Sequence, residues 1–196
     1  MNLTELANKY GSDKGITSGD GHGYTLIYEK ILGPLKNEPI NILEIGINRF
    51  ECDKAPSLMM WRDYFPKATI YGFDIRDFSG LNSSRIKIFQ GDQRKKNHLM
   101  RVTDVCSEFD VIIDDGSHGS LDQQASFWYL FAYVKEKGLY IIEDLHLQPL
   151  DEVASKPPIL QTQHFIKTLG WHVTLYCSEK LAVIKKTAMK AGRLFL

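Results

Sequence analysis

The sequence predicts an α/β fold in which a mostly parallel sheet carries helices on both faces and closes with an antiparallel hairpin. Three observations lead there. Strand-like and helix-like segments alternate through five strands, the order expected of a doubly wound parallel sheet. Two apolar runs, Val111-Ile112-Ile113 and Leu139-Tyr140-Ile141-Ile142, are short and unbroken, as central strands covered on both faces must be. The last two segments, 171–177 and 180–186, alternate in polarity around a turn at Ser178-Glu179 and read as a β-hairpin, for seven strands in all.

The elements follow in order. Leu3 to Tyr10 has helical spacing of Leu3, Leu6, Ala7 and Tyr10, and the glycine-bounded stretch 11–15 stops it. Gly19 to Gly23 reads either as a mobile lid or as a plain surface loop. Tyr24 to Leu32 is a helix whose inner face is expected to be Leu26, Ile27, Ile31 and Leu32, ended by Gly33-Pro34. Ile40 to Gly46 is the first strand and its exit. A linker, Asn48 to Pro56, leads to an amphipathic helix from Ser57, a plausible N-cap, to Phe65, with Leu58, Trp61 and Phe65 as its stripe. Trp61 is read as core. Strands follow over Ala68–Asp74 and Arg85–Asp92, then a polar helix over Gln93–Cys106. After the strand Phe109–Asp114, a helix is expected over Leu121–Lys135, broken by Lys137-Gly138. The strand Gly138–Ile142, a loop to Pro158, and a helix over Ile159–Leu169 precede the hairpin. The whole reads as one domain, 1–196: amino-terminal helices and lid over 1–36, the sheet core over 37–186, and a tail over 187–196. One strand of the sheet is expected to be reversed, at its edge.

Chemistry concentrates at strand ends. FDVIIDDGSH runs from an apolar strand into Asp114, Asp115 and His118, and GLYIIED runs into Glu143 and Asp144. Carboxylates buried mid-strand without partners cost several kcal/mol each. They are therefore expected at the carboxyl ends, in the crevice where open α/β sheets bind ligands. Neighbouring strands would bring all four acids and His118 to one spot. Strands also end in Glu44-Ile45-Gly46, in Asp74 and near Asp92. After Gly46 the chain reads Ile-Asn-Arg-Phe-Glu, without the further glycines that cradle a pyrophosphate, which counts against a dinucleotide and against a nicotinamide oxidoreductase.

Composition narrows the partners. The 196 residues carry 24 basic and 24 acidic side chains, so no net charge draws the chain to nucleic acid or acidic membranes, and a small molecule is favoured. Cys52, Cys106 and Cys177 are odd in number and scattered, which fits reduced thiols and a cytoplasmic location. The amino terminus shows no apolar signal core, and no run reaches the roughly 20 apolar residues of a membrane span. A homo-oligomer is compatible with all of this.

Nine motifs carry a resemblance: YGSDKG (10–15), GYTLIYE (23–29), ILEIG (42–46), SLMMWRDYFP (57–66), IYGFDI (70–75), IFQGDQ (88–93), FDVIIDDGSH (109–118), SFWYLF (126–131) and GLYIIEDLH (138–146). In this order they resemble the class I S-adenosylmethionine (SAM) dependent methyltransferases. Within these, they resemble the metal-dependent glycoside O-methyltransferases of the macrocin and mycinamicin type. The resemblance implies the Rossmann-like class I methyltransferase fold, SAM and Mg²⁺ as cofactors, and a glycoside hydroxyl as methyl acceptor. It implies Asp115, Glu143 and Asp144 as metal carboxylates and His118 as general base, with Asp115 also catalytic. It implies a SAM pocket from Glu44, Gly46, Asp74, Asp92, Gln93 and Asp114, with Tyr24 and Thr25 closing nearby. Oxygen ligands suit a hard cation, and a histidine can accept a hydroxyl proton near neutrality. A catechol or other vicinal diol is the alternative acceptor. A non-catalytic SAM-binding module is the alternative function, motivated by the unusual loop Asn48–Pro56, whose first residues are bulky and polar.

Overall fold

The computed structural model describes residues 1–16, 21–48, 54–145, 172–178 and 180–187. Seven strands form one sheet: β1 (Asn41–Ile45), β2 (Thr69–Asp74), β3 (Ile86–Gln90), β4 (Phe109–Asp114), β5 (Val134–Ile142), β6 (His172–Tyr176) and β7 (Leu181–Lys185). Their spatial order is β3-β2-β1-β4-β5-β7-β6. The first five are parallel, and β7 runs against both of its neighbours. The reversed strand is thus not the edge strand that the sequence suggested. Leu181 to Ile184 are all buried, whereas Val173 to Tyr176 are half-buried, so the more apolar strand takes the inner position and β6 takes the edge.

Among the described residues, five helices flank the sheet. On one face lie α1 (Leu3–Tyr10), α2 (Tyr24–Leu32) and α3 (Pro56–Tyr64), packed on Ile42, Ile70, Val111, Ile113 and Ile141. On the other lie α4 (Lys96–Thr103) and α5 (Ser120–Leu130), packed on Leu43, Tyr71, Ile112, Tyr140 and Ile142. The strict alternation of strand residues between the two cores is the pleat acting on continuous apolar runs. A capping box fixes the start of α1: Asn2 accepts from the Glu5 amide at 2.8 Å and Glu5 accepts from the Asn2 amide at 2.9 Å. No helix of the described residues is long and apolar enough to cross a membrane.

Several elements differ from their sequence reading. The buried side of α2 is Tyr24, Thr25, Tyr28 and Leu32, while Leu26 is exposed, because two tyrosine hydroxyls face buried acids. Pro56 opens α3 behind Ala55, so Ser57 is not its N-cap. The helix expected from Gln93 begins only at Lys96, which frees Gln93 for a turn. The helix expected to reach Lys135 stops at Leu130. Residues 131–133 make a single 3₁₀ turn, and Val134 already pairs with Phe109. Sheet pairing there outweighs helical propensity. The helix over 159–169, the loop beyond Leu145, the tail after Thr187 and most of the 48–56 linker lie outside the described residues, as do residues 19 and 20.

Gly46 ends β1 at φ 76°, and a Cβ there would stand 2.0 Å from the backbone oxygen of Asp115. The turn after β1 and the turn after β4 therefore touch backbone to backbone, which only glycine permits. Gly46→Ala is expected to destabilise the fold by about 3 kcal/mol or more. Urea denaturation checks this, and an unchanged midpoint would refute the contact.

Candidate active site

The register across β1, β4 and β5 assembles the acids. Glu44 is level with Ile113, which is level with Ile141. The ladder continues past the strands through Asp115 N to Ile45 O and Glu143 N to Asp114 O, both 2.9 Å. Alternation then places Glu44, Asp115 and Glu143 on the face of the amino-terminal helices and turns Asp114 to the opposite face. Adjacent carboxylates Asp114 and Asp115 thus serve different surroundings. Asp114 is fully buried, within reach of Gln93 Nε2, the Gly116 amide and the Tyr140 hydroxyl. Burial pushes its carboxyl up to about 7, against the pull of these donors.

Lys14 meets the other three. Its side chain is 1 % exposed, and Nζ lies 2.5 Å from Asp115 Oδ2, 2.8 Å from Glu143 Oε1 and 3.3 Å from Glu44 Oε1. Burial pulls the ammonium down, but Asp115, Glu143 and Glu44 together hold it well above the ordinary lysine value. The carboxyls of Glu44 and Glu143 are pushed up by burial, that of Glu44 to about 7. Glu44 Oε2 accepts from the Trp61 indole at 3.1 Å. Trp61 is core, as expected, and its ring NH also serves the site. Tyr28 donates to Glu143 Oε1 at 2.5 Å.

Asp144 goes its own way. A left-handed backbone, φ 52°, turns it from Glu143 towards Tyr24, whose hydroxyl donates to Oδ1 at 2.5 Å. His118, itself at φ 60°, places Nε2 3.9 Å from Asp144 Oδ2. On the other side His22 Nδ1 stands 3.7 Å from Asp144 Oδ1 and its ring stacks on Tyr24. Two non-glycine residues in this backbone region, side by side, cost on the order of 1–3 kcal/mol each and mark a site where geometry is imposed. Ligand atoms of Asp115, His118 and Asp144 fall within 4.8 Å of one another, as do those of Glu44, Asp115 and Glu143. The expected trio of Asp115, Glu143 and Asp144 is thus divided, with Asp115 common to both groups. His118 Nδ1 is buried and has no hydrogen-bond partner among the described residues. One ammonium faces three acids here, with Asp144 beside His118 as a fourth, and such a concentration of carboxyl oxygens suits an oxygen-seeking cation.

Beside the acids runs a groove of about 550 Å³, bordered by Gly46, Asp74, Asp92, Gln93, Asp115 and Ser117 among others. Four of the residues expected to hold a nucleoside, Gly46, Asp74, Asp92 and Gln93, line it. Glu44 and Asp114 are not in its wall; both are fully buried, each one residue before a lining residue, Ile45 and Asp115. Tyr24 and Thr25 are elsewhere: Tyr24 on Asp144, Thr25 hydrogen-bonded to Thr4 at 2.8 Å. Asp74 accepts the amides of Ile47 and Arg76 at 3.0 and 2.8 Å, and Asp92 is clasped by Arg94. Gln93 bridges the walls, its Oε1 accepting from the Ser117 amide at 2.8 Å and its Nε2 donating to Ser126 at 3.0 Å.

Comparisons with known proteins come to the same place. No protein-family model matches the chain. It is 40% identical over 145 residues to the 8-demethyl-8-(2-methoxy-alpha-L-rhamnosyl)-tetracenomycin-C 3'-O-methyltransferase of Streptomyces olivaceus. It is 37% identical over 145 residues to the mycinamicin VI 2''-O-methyltransferase of Micromonospora griseorubida. Each alignment takes in 73% of this chain and 36% of the relative, so the chain spans about a third of the length of the curated relatives it matches. Among solved structures, the MycE methyltransferase of the mycinamycin pathway, in complex with Mg, SAH and mycinamycin VI, superposes with a TM-score of 0.82 at 27% identity. That superposition covers 100% of this chain and 57% of MycE.

Sequence reasoning assigned no role to Lys14, Tyr28 or His22. A signal existed for Tyr28: it lies four residues after Tyr24, so both hydroxyls share a helix face. Lys14 and His22 had none beyond the motifs that contain or adjoin them. Tyr28→Phe removes one of two donors to Glu143 Oε1 and leaves Lys14 in place. The expected cost is about 1 kcal/mol of stability, read from denaturant midpoints. A neutral result would mean that the hydroxyl adds nothing to the cluster.

Proposed function

The chain is related to the class I SAM-dependent methyltransferases that act on macrolide and tetracenomycin sugars, and from that premise we propose that it is a SAM- and Mg²⁺-dependent O-methyltransferase. Its acceptor would be a sugar hydroxyl of a glycosylated small molecule. One observation carries the reading: Asp115 both borders the nucleoside-sized groove and belongs to the metal-capable group with His118 and Asp144. A methyl donor in the groove and a hydroxyl beside the acids would therefore meet at one carboxylate.

The residues divide the work as follows. Gly46, Asp74, Asp92 and Gln93 receive the nucleoside, with Glu44 and Asp114 buried next in sequence to Ile45 and Asp115 of the groove wall. Asp115, Glu143 and Asp144 are the carboxylates that would hold the ion. Mg²⁺, when bound, supplies a Lewis acid that orients adjacent sugar hydroxyls and lowers the pKa of the one to be methylated. His118 stands beside Asp144 with a ring nitrogen that has no hydrogen-bond partner among the described residues, and it would accept the hydroxyl proton while the O–CH₃ bond forms and the S–CH₃ bond breaks, S-adenosylhomocysteine leaving. Its positive φ fixes the imidazole on the acid side of the turn. The free thiols Cys106 and Cys177 support a reducing, cytoplasmic setting as part of the same proposal.

Asp115→Asn and His118→Ala are expected to keep fold and SAH binding and to lose roughly 10²- to 10⁴-fold in turnover. Product formation from a panel of glycosides, with Mg²⁺ or with EDTA, measures this. Undiminished turnover by Asp115→Asn, or by the wild type under chelation, would refute the metal-assisted mechanism.

A further inference from the structure

The ammonium of Lys14 has three carboxylates and does not use them equally. It hydrogen-bonds Asp115 Oδ2 at 2.5 Å and Glu143 Oε1 at 2.8 Å. Towards Glu44 Oε1 it lies at 3.3 Å without hydrogen-bond geometry, and that oxygen is buried with no hydrogen-bond partner among the described residues. The other oxygen of Glu44 is already held by Trp61. A buried carboxylate oxygen left in this condition is costly and stands ready to accept a donor. Lys14 is the donor within reach.

The backbone around Lys14 is fixed, so a shift between these partners is a matter of side-chain torsions. Ser12 N bonds Ala7 O at 2.9 Å, and Thr25 N bonds Lys14 O at 3.0 Å. His22 N bonds Asp13 O at 2.8 Å and Gly23 N bonds Gly15 O at 3.0 Å. The turn thereby staples to the start of α2. A four-carbon stem with a compact charged head can pivot within that frame.

We propose that Lys14 is a built-in competitor for the divalent cation: it pairs with Asp115 and Glu143, and it withdraws onto Glu44 Oε1 when an ion takes those acids. The inference rests on the metal reading above and goes beyond it, because it assigns Lys14 two alternative partners and ties metal binding to Glu44, the residue before Ile45 of the groove wall. Lys14 acts through the carboxylates and is a positioning residue, not a catalytic one.

Binding of Mn²⁺ in place of Mg²⁺, followed by electron paramagnetic resonance, tests it without any turnover. Lys14→Met is expected to bind Mn²⁺ tenfold or more tightly than wild type, since the competitor is gone. A merely structural lysine would give the opposite sign, because its loss would loosen the acids. Glu44→Gln removes the alternative partner and is expected to weaken Mn²⁺ several-fold in the wild-type background. In the Lys14→Met background it should have no effect, and this non-additivity separates a pivoting lysine from simple charge–charge attraction. An equal effect of Glu44→Gln in both backgrounds, or weaker binding by Lys14→Met, overturns the proposal. If Lys14→Met does not fold alone, Lys14→Met/Glu44→Gln, which removes one charge of each sign, is compared with Glu44→Gln. Tighter binding by the double variant supports the proposal, and equal or weaker binding overturns it. Failure of folded wild-type protein to bind Mn²⁺ at all overturns the metal reading and this one with it.

Discussion

An ammonium sealed from water against the ends of three adjacent strands sets the terms for the rest of this molecule. Register forces Glu44, Asp115 and Glu143 to converge on one face of the sheet. Three buried carboxylates so close would repel one another and each would resist ionisation. Lys14, with the hydroxyl of Tyr28 and the indole of Trp61, offsets that cost. The amino-terminal helices are thus part of the site's electrostatics as well as cover for one face of the sheet. A cluster of this kind is weak evidence for stability, because apolar residues could fill the same volume at no greater cost. Its persistence is better understood through what the acids can do once a second cation arrives.

The pleat then divides the remaining chemistry. Asp114 and Asp115 are neighbours in sequence, yet one faces the α4–α5 core and the other faces Lys14. Asp144 would follow the same alternation, and the left-handed backbone takes it out of that pattern and sets it between His22, Tyr24 and His118. Groove, ion-capable acids and imidazole consequently meet at the carboxyl end of the sheet, with Asp115 common to them.

Much of this was legible in the sequence, and the reasons are specific. Unbroken β-branched runs declared the central strands, and acids at their ends declared the crevice, because burial in mid-strand would have been prohibitive. The position of β7 was less legible: hairpin signals report that two strands pair, not which of them pairs with the sheet. Gln93 was assigned to a helix because polarity alone does not reveal a side chain that spans a turn to reach Ser117 and Ser126. The roles of Lys14 and His22 depend on a turn folding back over 100 residues or more of sequence separation, as the Lys14–Asp115 contact shows. No local pattern encodes such a contact. Tyr24 and Tyr28 displaced the aliphatic face expected for α2 because hydroxyls were needed where the acids lie.

The inner place of β7 has a consequence for how the chain is made. Strand β5 lies beside β4 from the outset, but its other edge is paired only with residues near the end of the described chain, from Ile142 with Ala182 to Leu139 with Lys185. During synthesis that edge, with Ile141 and Ile142 on it, emerges long before its partner. An open, apolar, unpaired strand is a template for the wrong neighbour. Glu143 and Asp144 follow immediately, and charges at the end of such a strand discourage edge-to-edge pairing. The acids that define the site would thereby also discourage mispairing of that edge until residues 181–185 cover it.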